Sequence, residues 1–216
     1  MSLFDIDHTK YRPCGYKSPP CNVFDKRIYC FLQAHSDLLY KRYKTIGLPG
    51  VPNLITTFSV LSRVCSLVIL TSLKGLLSRA VAAALFYLGY YFDSLDGFFG
   101  RKYNVCTTFG CYYDHTNDVI TYLLFLYVCW RNNMYLSVIL LLALAVFSVN
   151  QVLVEEENFN NYTPYFSFCC KVFDFAKQYS SKRYIKYFGT TTWIFLVGLS
   201  FMINWWLIGD VWLICN

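Results

Sequence analysis

From residue 54 onward the chain alternates long apolar runs with short polar breaks, and each run approaches the ~20 residues that a membrane-spanning helix needs. The runs predict spans at Leu54–Leu73, Ser78–Asp96, Phe109–Trp130, Met134–Leu153 and Thr190–Cys215. Upstream, Phe24, Ile28, Phe31, Leu32, Leu38 and Leu39 recur at helical spacing among Lys26, Arg27, Lys41 and Arg42. That pattern, from Asn22 to Tyr43, predicts an amphipathic helix lying in the membrane interface, an ordinary core-facing helix being the alternative. Gly47–Asn53 (GLPGVPN) separates this helix from the first span, and residues 1–22, with Pro13, Pro19 and Pro20, read as irregular. Residues 155–189 form a polar stretch in which Tyr165–Phe175 is too short to cross a bilayer, so the count is five spans, or six if that run dips in. The expected fold is an all-α, polytopic transmembrane helix bundle. Residues 1–50 form a cytosolic N-terminal segment with a juxtamembrane helix, and residues 51–216 the transmembrane domain.

Composition agrees with a membrane protein. Of the 216 residues 56% are hydrophobic, 20% aromatic and only 15% charged, against about 25% charged in soluble domains. The net charge of +6 lies in loops beside apolar runs; it fits anionic headgroups, so the partner expected is the lipid bilayer and not nucleic acid. The ten cysteines show no metal-ligand spacing and serve mainly as small apolar residues, with Cys169-Cys170 a weak palmitoylation pattern. No secretory signal opens the chain, so the first span is expected to direct insertion. With the N-terminus cytosolic, fifteen Lys and Arg fall on the cytosolic side and three (Lys74, Arg79 and Arg131) on the other. The imbalance predicts a cytosolic N-terminus.

Against that background residues 93–118, DSLDGFFGRKYNVCTTFGCYYDHTND, stand out. Asp93 and Asp96 are spaced i,i+3 and Asp114 and Asp118 i,i+4, so each pair presents two carboxylates from one helix face. Only 13 residues of the chain are acidic, and buried carboxylates without partners are costly enough that such a cluster points to bound cations. An all-oxygen donor set suits Mg²⁺ or Mn²⁺. A pair of such ions clamps a phosphoryl group. Gly97 and Gly100 let backbone approach a phosphate, Arg101 offers a cationic fork, and the carboxylate least committed to metal can take a proton from a hydroxyl. Arg63 lies inside the first span, where it faces a polar cavity or packs against an acidic residue. Arg63, with Asn150 and Gln151 at the end of the fourth span, marks the candidate acceptor region. Aspartates that merely end helices at the interface are the plainer alternative.

The run Asp93-x2-Asp96-Gly97-x2-Gly100-Arg101-x8-Gly110-x3-Asp114-x3-Asp118 resembles the signature of the CDP-alcohol phosphatidyltransferases at every position but one, Gly100 replacing an alanine. Pro52-Asn53-Leu54-Ile55-Thr56 resembles the PN-x2-T opening of that family's first span. The resemblance implies attack of an alcohol hydroxyl on the β-phosphate of a CDP-linked lipid or headgroup, with release of CMP. It also implies roles. Asp93 and Asp114 would bridge two magnesium ions, Asp96 would complete one site, and Asp118 would bind the other and act as the catalytic base. Pro52, Asn53, Leu54, Ile55, Thr56, Gly97, Gly100, Arg101, Thr107 and Gly110 would line the CDP site, and a homodimer is the default assembly. Many members using CDP-diacylglycerol carry an arginine where this chain has Ser59; Arg63, one turn later, is the candidate substitute.

The acceptor is less legible. Chain length and the Arg101-x2-Asn104-x2-Thr107-x-Phe109-Gly110 run resemble phosphatidylinositol synthases, although Val119 stands where those carry arginine. Asp114-His115-x2-Asp118 and Glu155–Glu157 look more like choline or ethanolamine phosphotransferases. The expected function is phosphatidyl transfer from CDP-diacylglycerol to an alcohol such as inositol, in the endoplasmic reticulum if the source is eukaryotic. The alternatives are a CDP-choline/ethanolamine:diacylglycerol phosphotransferase and a catalytically silent scaffold of the same fold.

Overall fold

A computed structural model describes residues 23–44, 48–156 and 190–214. Six α-helices occupy them: α1 (Val23–Tyr43), α2 (Val51–Ser72), α3 (Leu76–Lys102), α4 (Thr108–Arg131), α5 (Tyr135–Glu156) and α6 (Thr190–Ile214), with a 3₁₀ turn at Leu48–Gly50. No strand forms among the described residues, so the all-α bundle expected from the apolar runs is what the chain builds. The expected irregular segment 1–22 and the Tyr165–Phe175 run lie outside the described residues. Among those described, Val51–Ser72 is long and apolar enough throughout to cross a membrane, and Tyr135–Val146 and Thr192–Asn204 are shorter apolar stretches. Helices α3 and α4 have similar length and carry the acidic pairs.

Local chemistry fixes the helix ends. Pro52 sits in the first turn of α2, where its missing N–H costs nothing. Gly75 holds φ at +130°, a conformation only glycine adopts readily, and turns the chain from α2 straight into α3. Helices α3 and α4 both end on a left-handed asparagine. Asn104 (φ 56°) lets the N–H of Val105 donate to Gly100 O at 2.9 Å, and Asn133 (φ 57°) lets that of Met134 donate to Cys129 O at 2.8 Å. Helix α4 starts on Thr107, whose Oγ1 accepts from the N–H of Gly110 at 3.0 Å.

The α2–α3 hairpin is the most extensively packed pair, α4 lies on α2, and α6 packs on both α3 and α5. Ala82 and Ala83 are fully buried where α3 meets its neighbours, and Ser66 donates to Ala82 O at 2.7 Å. The small residues that the second apolar run offers near its start are thus used for close contact. Phe86 sits at the centre of this core, edge-on to Phe125 at 5.0 Å and to Phe201 at 5.5 Å. Helices α5 and α6 are joined by a buried polar chain: Asn204 donates to Ser137 Oγ, which pairs with Ser200 Oγ, both at 2.7 Å. Outward positions such as Phe58, Val68, Leu123, Ile139 and Leu142 are exposed and apolar, as a lipid-facing surface requires.

Helix α1 docks on the end of α3. Leu32 (1% exposed) and Ser36 (0%) are its buried positions, and Leu32 packs in a second core with Ile55, Leu95, Phe98, Phe99 and Val105. Asp37 accepts from Lys102 Nζ at 2.5 Å and from the Tyr103 hydroxyl, while Tyr40 stacks on Tyr103 at 4.1 Å. Donation from Lys102, then from Tyr103, holds the Asp37 carboxyl below its ordinary range. One face of α1 therefore packs on protein, and Phe31 and Leu38 stay exposed on the other.

Candidate active site

The four aspartates come from two facing helices, Asp93 and Asp96 from α3 and Asp114 and Asp118 from α4. They stand about two to three turns inside the end where α3 finishes and α4 begins, by the 3.6-residue helical repeat. Arg63 of α2 joins the two pairs. Its Nη1 donates to Asp118 Oδ1 at 2.6 Å and to Thr121 Oγ1 at 3.2 Å, and its Nη2 donates to Ser59 Oγ at 2.6 Å and to Asp93 Oδ1. The arginine side chain is only 12% exposed. Such a planar fork offers each carboxylate its own nitrogen in a fixed geometry, where a lysine presents a single nitrogen on a flexible stem.

The mount of this arginine is equally specific. Ser59 is fully buried and donates to Gly89 O at 2.8 Å. A Cβ on Gly89 would lie 2.6 Å from Arg63 Cγ, so the absence of a side chain there makes room for the arginine stem. Thr121, which receives the other end of the fork, donates in turn to Asn117 O at 2.7 Å.

The PN-x2-T segment at the start of α2 is brought against the acidic signature. Thr56 donates to Asp96 Oδ2 at 2.5 Å, and both residues are buried. A Cβ on Gly110 would fall 2.7 Å from Asn53 Oδ1 and 3.0 Å from Thr107 Oγ1, so Asn53, Thr107 and Gly110 form one compact group. A Cβ on Gly100 would lie 2.7 Å from Cys106 Sγ and 3.8 Å from Pro52 Cγ, and one on Gly97 would lie 2.8 Å from Arg101 Nη1. These glycines are helical and serve as notches for neighbouring side chains. Two residues of the segment point elsewhere: Ile55 is buried in the core beneath α1, and Leu54 is half-exposed on the outer surface of α2. Of the candidate acceptor residues, Arg63 sits among the aspartates. The side chains of Asn150 and Gln151 lie outside the described residues.

A divalent cation fits the residues present. Asp114 Oδ1 is buried with no hydrogen-bond partner, an oxygen that a cation would satisfy. Asp114, His115 and Asp118 each offer one ligand atom within 4.8 Å of the others. His115, which stands alone in the sequence, is thus part of the cluster, its Nδ1 3.6 Å from Asp114 Oδ2. Ser59 and Thr121 are further members that the acidic signature does not include. Both were findable, because they lie four residues before Arg63 and three after Asp118, on the same helix faces. Nearby, Thr57 Oγ1 and the Tyr113 hydroxyl are 3.2 Å apart and bridge α2 to α4.

The chain matches the family model described as CDP-alcohol phosphatidyltransferase over residues 50–214. Comparison with curated proteins gives no match, and comparison with solved structures gives none either.

Proposed function

The chain belongs to the CDP-alcohol phosphatidyltransferase family, and from that membership we propose that it transfers a phosphatidyl group from CDP-diacylglycerol to an alcohol, inositol being the first candidate. Membership makes it a membrane enzyme of phospholipid synthesis that uses a CDP-linked substrate. The observation that carries the finer reading is the convergence of Thr56 and Arg63 of α2 on the aspartates of α3 and α4, which joins both halves of the signature at one locus.

In this reading the acceptor oxygen forms a bond to the β-phosphorus of the donor. The bond from that phosphorus to the oxygen bridging the two phosphates breaks, CMP departs with the bonding electrons, and the acceptor's proton passes to Asp118. Two Mg²⁺ or Mn²⁺ ions held by Asp93, Asp96, Asp114 and Asp118 would neutralise the diphosphate and the charge that develops on it. Asn53, Thr107, Gly110 and the Arg101 guanidinium would receive the CDP moiety, with Pro52, Gly97 and Gly100 leaving room beside them. Residues 1–50 would form a cytosolic segment ahead of the transmembrane domain, and the site would open to the cytosol, where soluble CDP compounds and lipid meet. A homodimer and the endoplasmic reticulum, in a eukaryote, complete the proposal.

Purified protein in nanodiscs with Mg²⁺ is expected to release CMP from CDP-diacylglycerol in the presence of an acceptor from a labelled panel, and the lipid formed identifies the alcohol. One observation favours a second donor: His115, part of the Asp114-His115-x2-Asp118 run that looks like the choline and ethanolamine enzymes, lies within the acidic cluster. CMP formed only from a CDP-aminoalcohol plus diacylglycerol would select that reading. No CMP from any pair with folded protein would leave the silent scaffold. Asp118→Asn is expected to reduce turnover by about 10²–10⁴-fold while CDP binding persists, and unimpaired turnover would remove Asp118 as the base.

A further inference from the structure

We propose that Arg63 is a resident cation of this site, which holds Asp93 and Asp118 together in the absence of metal and must loosen its grip when a divalent ion enters. The inference rests on the metal-binding reading above and concerns a residue outside the acidic signature. Three observations support it. The guanidinium spends both its terminal nitrogens on the site, donating to Asp118 Oδ1 at 2.6 Å and to Asp93 Oδ1 from opposite prongs. Those two carboxylates belong to different helices, and neither has another basic residue paired with it among the described ion pairs. The mount is built around the arginine: Ser59, Thr121 and the notch at Gly89 fix the stem and both prongs.

The consequence is competition. A divalent cation seeks the same carboxylate oxygens and is repelled by the guanidinium beside them. Entry of the ion at the Asp114–His115–Asp118 group therefore displaces the prong on Asp118. Because Asp118 is one of the groups released, the arginine links arrival of the metal to freeing of the base. Asp96 and Asp114 are left out of this grip, Asp96 being held by Thr56 and Asp114 keeping a free buried oxygen. The first ion is thus expected to engage Asp114, and displacement of Arg63 from Asp118 accompanies completion of the Asp114–His115–Asp118 group.

The test is Mn²⁺ binding, followed by electron paramagnetic resonance on the full chain in nanodiscs, for wild type, Arg63→Met and Arg63→Lys. A single charge within ~4–6 Å moves a carboxylate equilibrium by about 1–3 log units, so Arg63→Met is expected to bind Mn²⁺ about tenfold or more tightly. Its metal-free form should melt lower than wild type, with most of the deficit recovered on adding Mn²⁺. A merely structural arginine would lower both melting temperatures together and leave Mn²⁺ affinity unmoved, and that result overturns the proposal. Arg63→Lys keeps the charge but replaces two fixed prongs by one nitrogen on a flexible stem, so it should bind Mn²⁺ more tightly than wild type and less tightly than Arg63→Met. If Arg63→Met cannot be recovered folded, affinity in Arg63→Lys equal to or weaker than wild type refutes the idea by itself. CMP release by wild type is measured in parallel. Turnover with unaltered Mn²⁺ affinity in both variants sinks this inference and spares the enzymatic one, whereas absence of Mn²⁺ binding in all three proteins sinks the metal reading and this proposal with it.

Discussion

Replacing Thr56 by valine isolates one hydroxyl of the site. Thr56 Oγ1 donates to Asp96 Oδ2 at 2.5 Å, and the residues are 3% and 4% exposed. Valine keeps the β-branched shape and packing volume and deletes only the donor. A hydrogen bond to a charged group is worth about 1.5–3 kcal/mol, and its loss leaves a buried carboxylate oxygen unsatisfied. The extra methyl returns at most about 0.8 kcal/mol of burial. The other acceptor within reach of that single proton, Pro52 O at 3.1 Å, lies one turn back along the same helix and adds little. The net cost is about 1–2 kcal/mol, which for a chain of this size corresponds to a fall in Tm of about 2–8 °C. The functional effect should be larger. With Oδ2 no longer tethered, the Asp96 carboxylate rotates freely, and loss of such an orienting partner weakens metal affinity by about 10–100-fold. Thermal melts in detergent and the Mg²⁺ dependence of CMP release read the two effects separately, with Thr56→Ser as the control that retains the donor. Should Thr56→Ser lose as much as Thr56→Val, the methyl group and not the hydroxyl matters, and the assignment of Thr56 as a clamp on Asp96 fails.

Two further substitutions probe the neighbourhood. Gly110→Ala gains about 0.5–1 kcal/mol of helix propensity, while its Cβ would meet Asn53 Oδ1 at 2.7 Å; stability should stay near wild type and KM for the CDP donor should rise, and an unchanged KM would remove Asn53 from the donor site. Asp37, half-exposed, owes its lowered pKa to Lys102 and then Tyr103, so its contribution to α1 docking is present above the unfolded value of 3.8 and lost as pH falls below it. That contribution is under about 1 kcal/mol after solvent screening. Limited proteolysis of α1 between about pH 3 and 6 should show wild type loosening at the acid end and Asp37→Asn showing no such step; identical profiles would count against the clasp.

The apolar runs located the helices closely because lipid-facing and core-facing positions are both hydrophobic, leaving turns as the only polar punctuation. The run expected at Asn22–Tyr43 is α1 at Val23–Tyr43, and that expected at Phe109–Trp130 is α4 at Thr108–Arg131. Glycine and proline misled at the other boundaries. The second span was expected to end at Asp96, yet α3 continues through Gly97 and Gly100 to Lys102, because those glycines accommodate the Arg101 and Cys106 side chains instead of breaking the helix. The helix of the first expected span, α2, starts at Val51, earlier than Leu54, since Pro52 is compatible with an opening turn. The aspartates were legible from i,i+3 and i,i+4 spacing, which depends only on helix geometry. What they touch was legible only in part, an acidic residue being one of two surroundings expected for Arg63. The pairing of Arg63 with Asp93 and Asp118 spans 30 and 55 residues, and the docking of α1 through Asp37 depends on how α3 ends; neither leaves a periodic trace.

The pairing across the α2–α3 hairpin also bears on how the chain enters the bilayer. An arginine or aspartate alone near the middle of an inserting helix costs about 2.5–3.5 kcal/mol. Arg63 precedes Asp93 in the chain, and Leu73, Lys74 and Gly75 are all that separates their helices. When α3 leaves the ribosome, the partner for its aspartate is already in place on the helix just made. The hairpin can thus carry Arg63 and Asp93 into the bilayer already paired. Asp118, arriving later on α4, is received by a guanidinium whose second prong is still free, so the order of synthesis matches the order in which the charges find their partners.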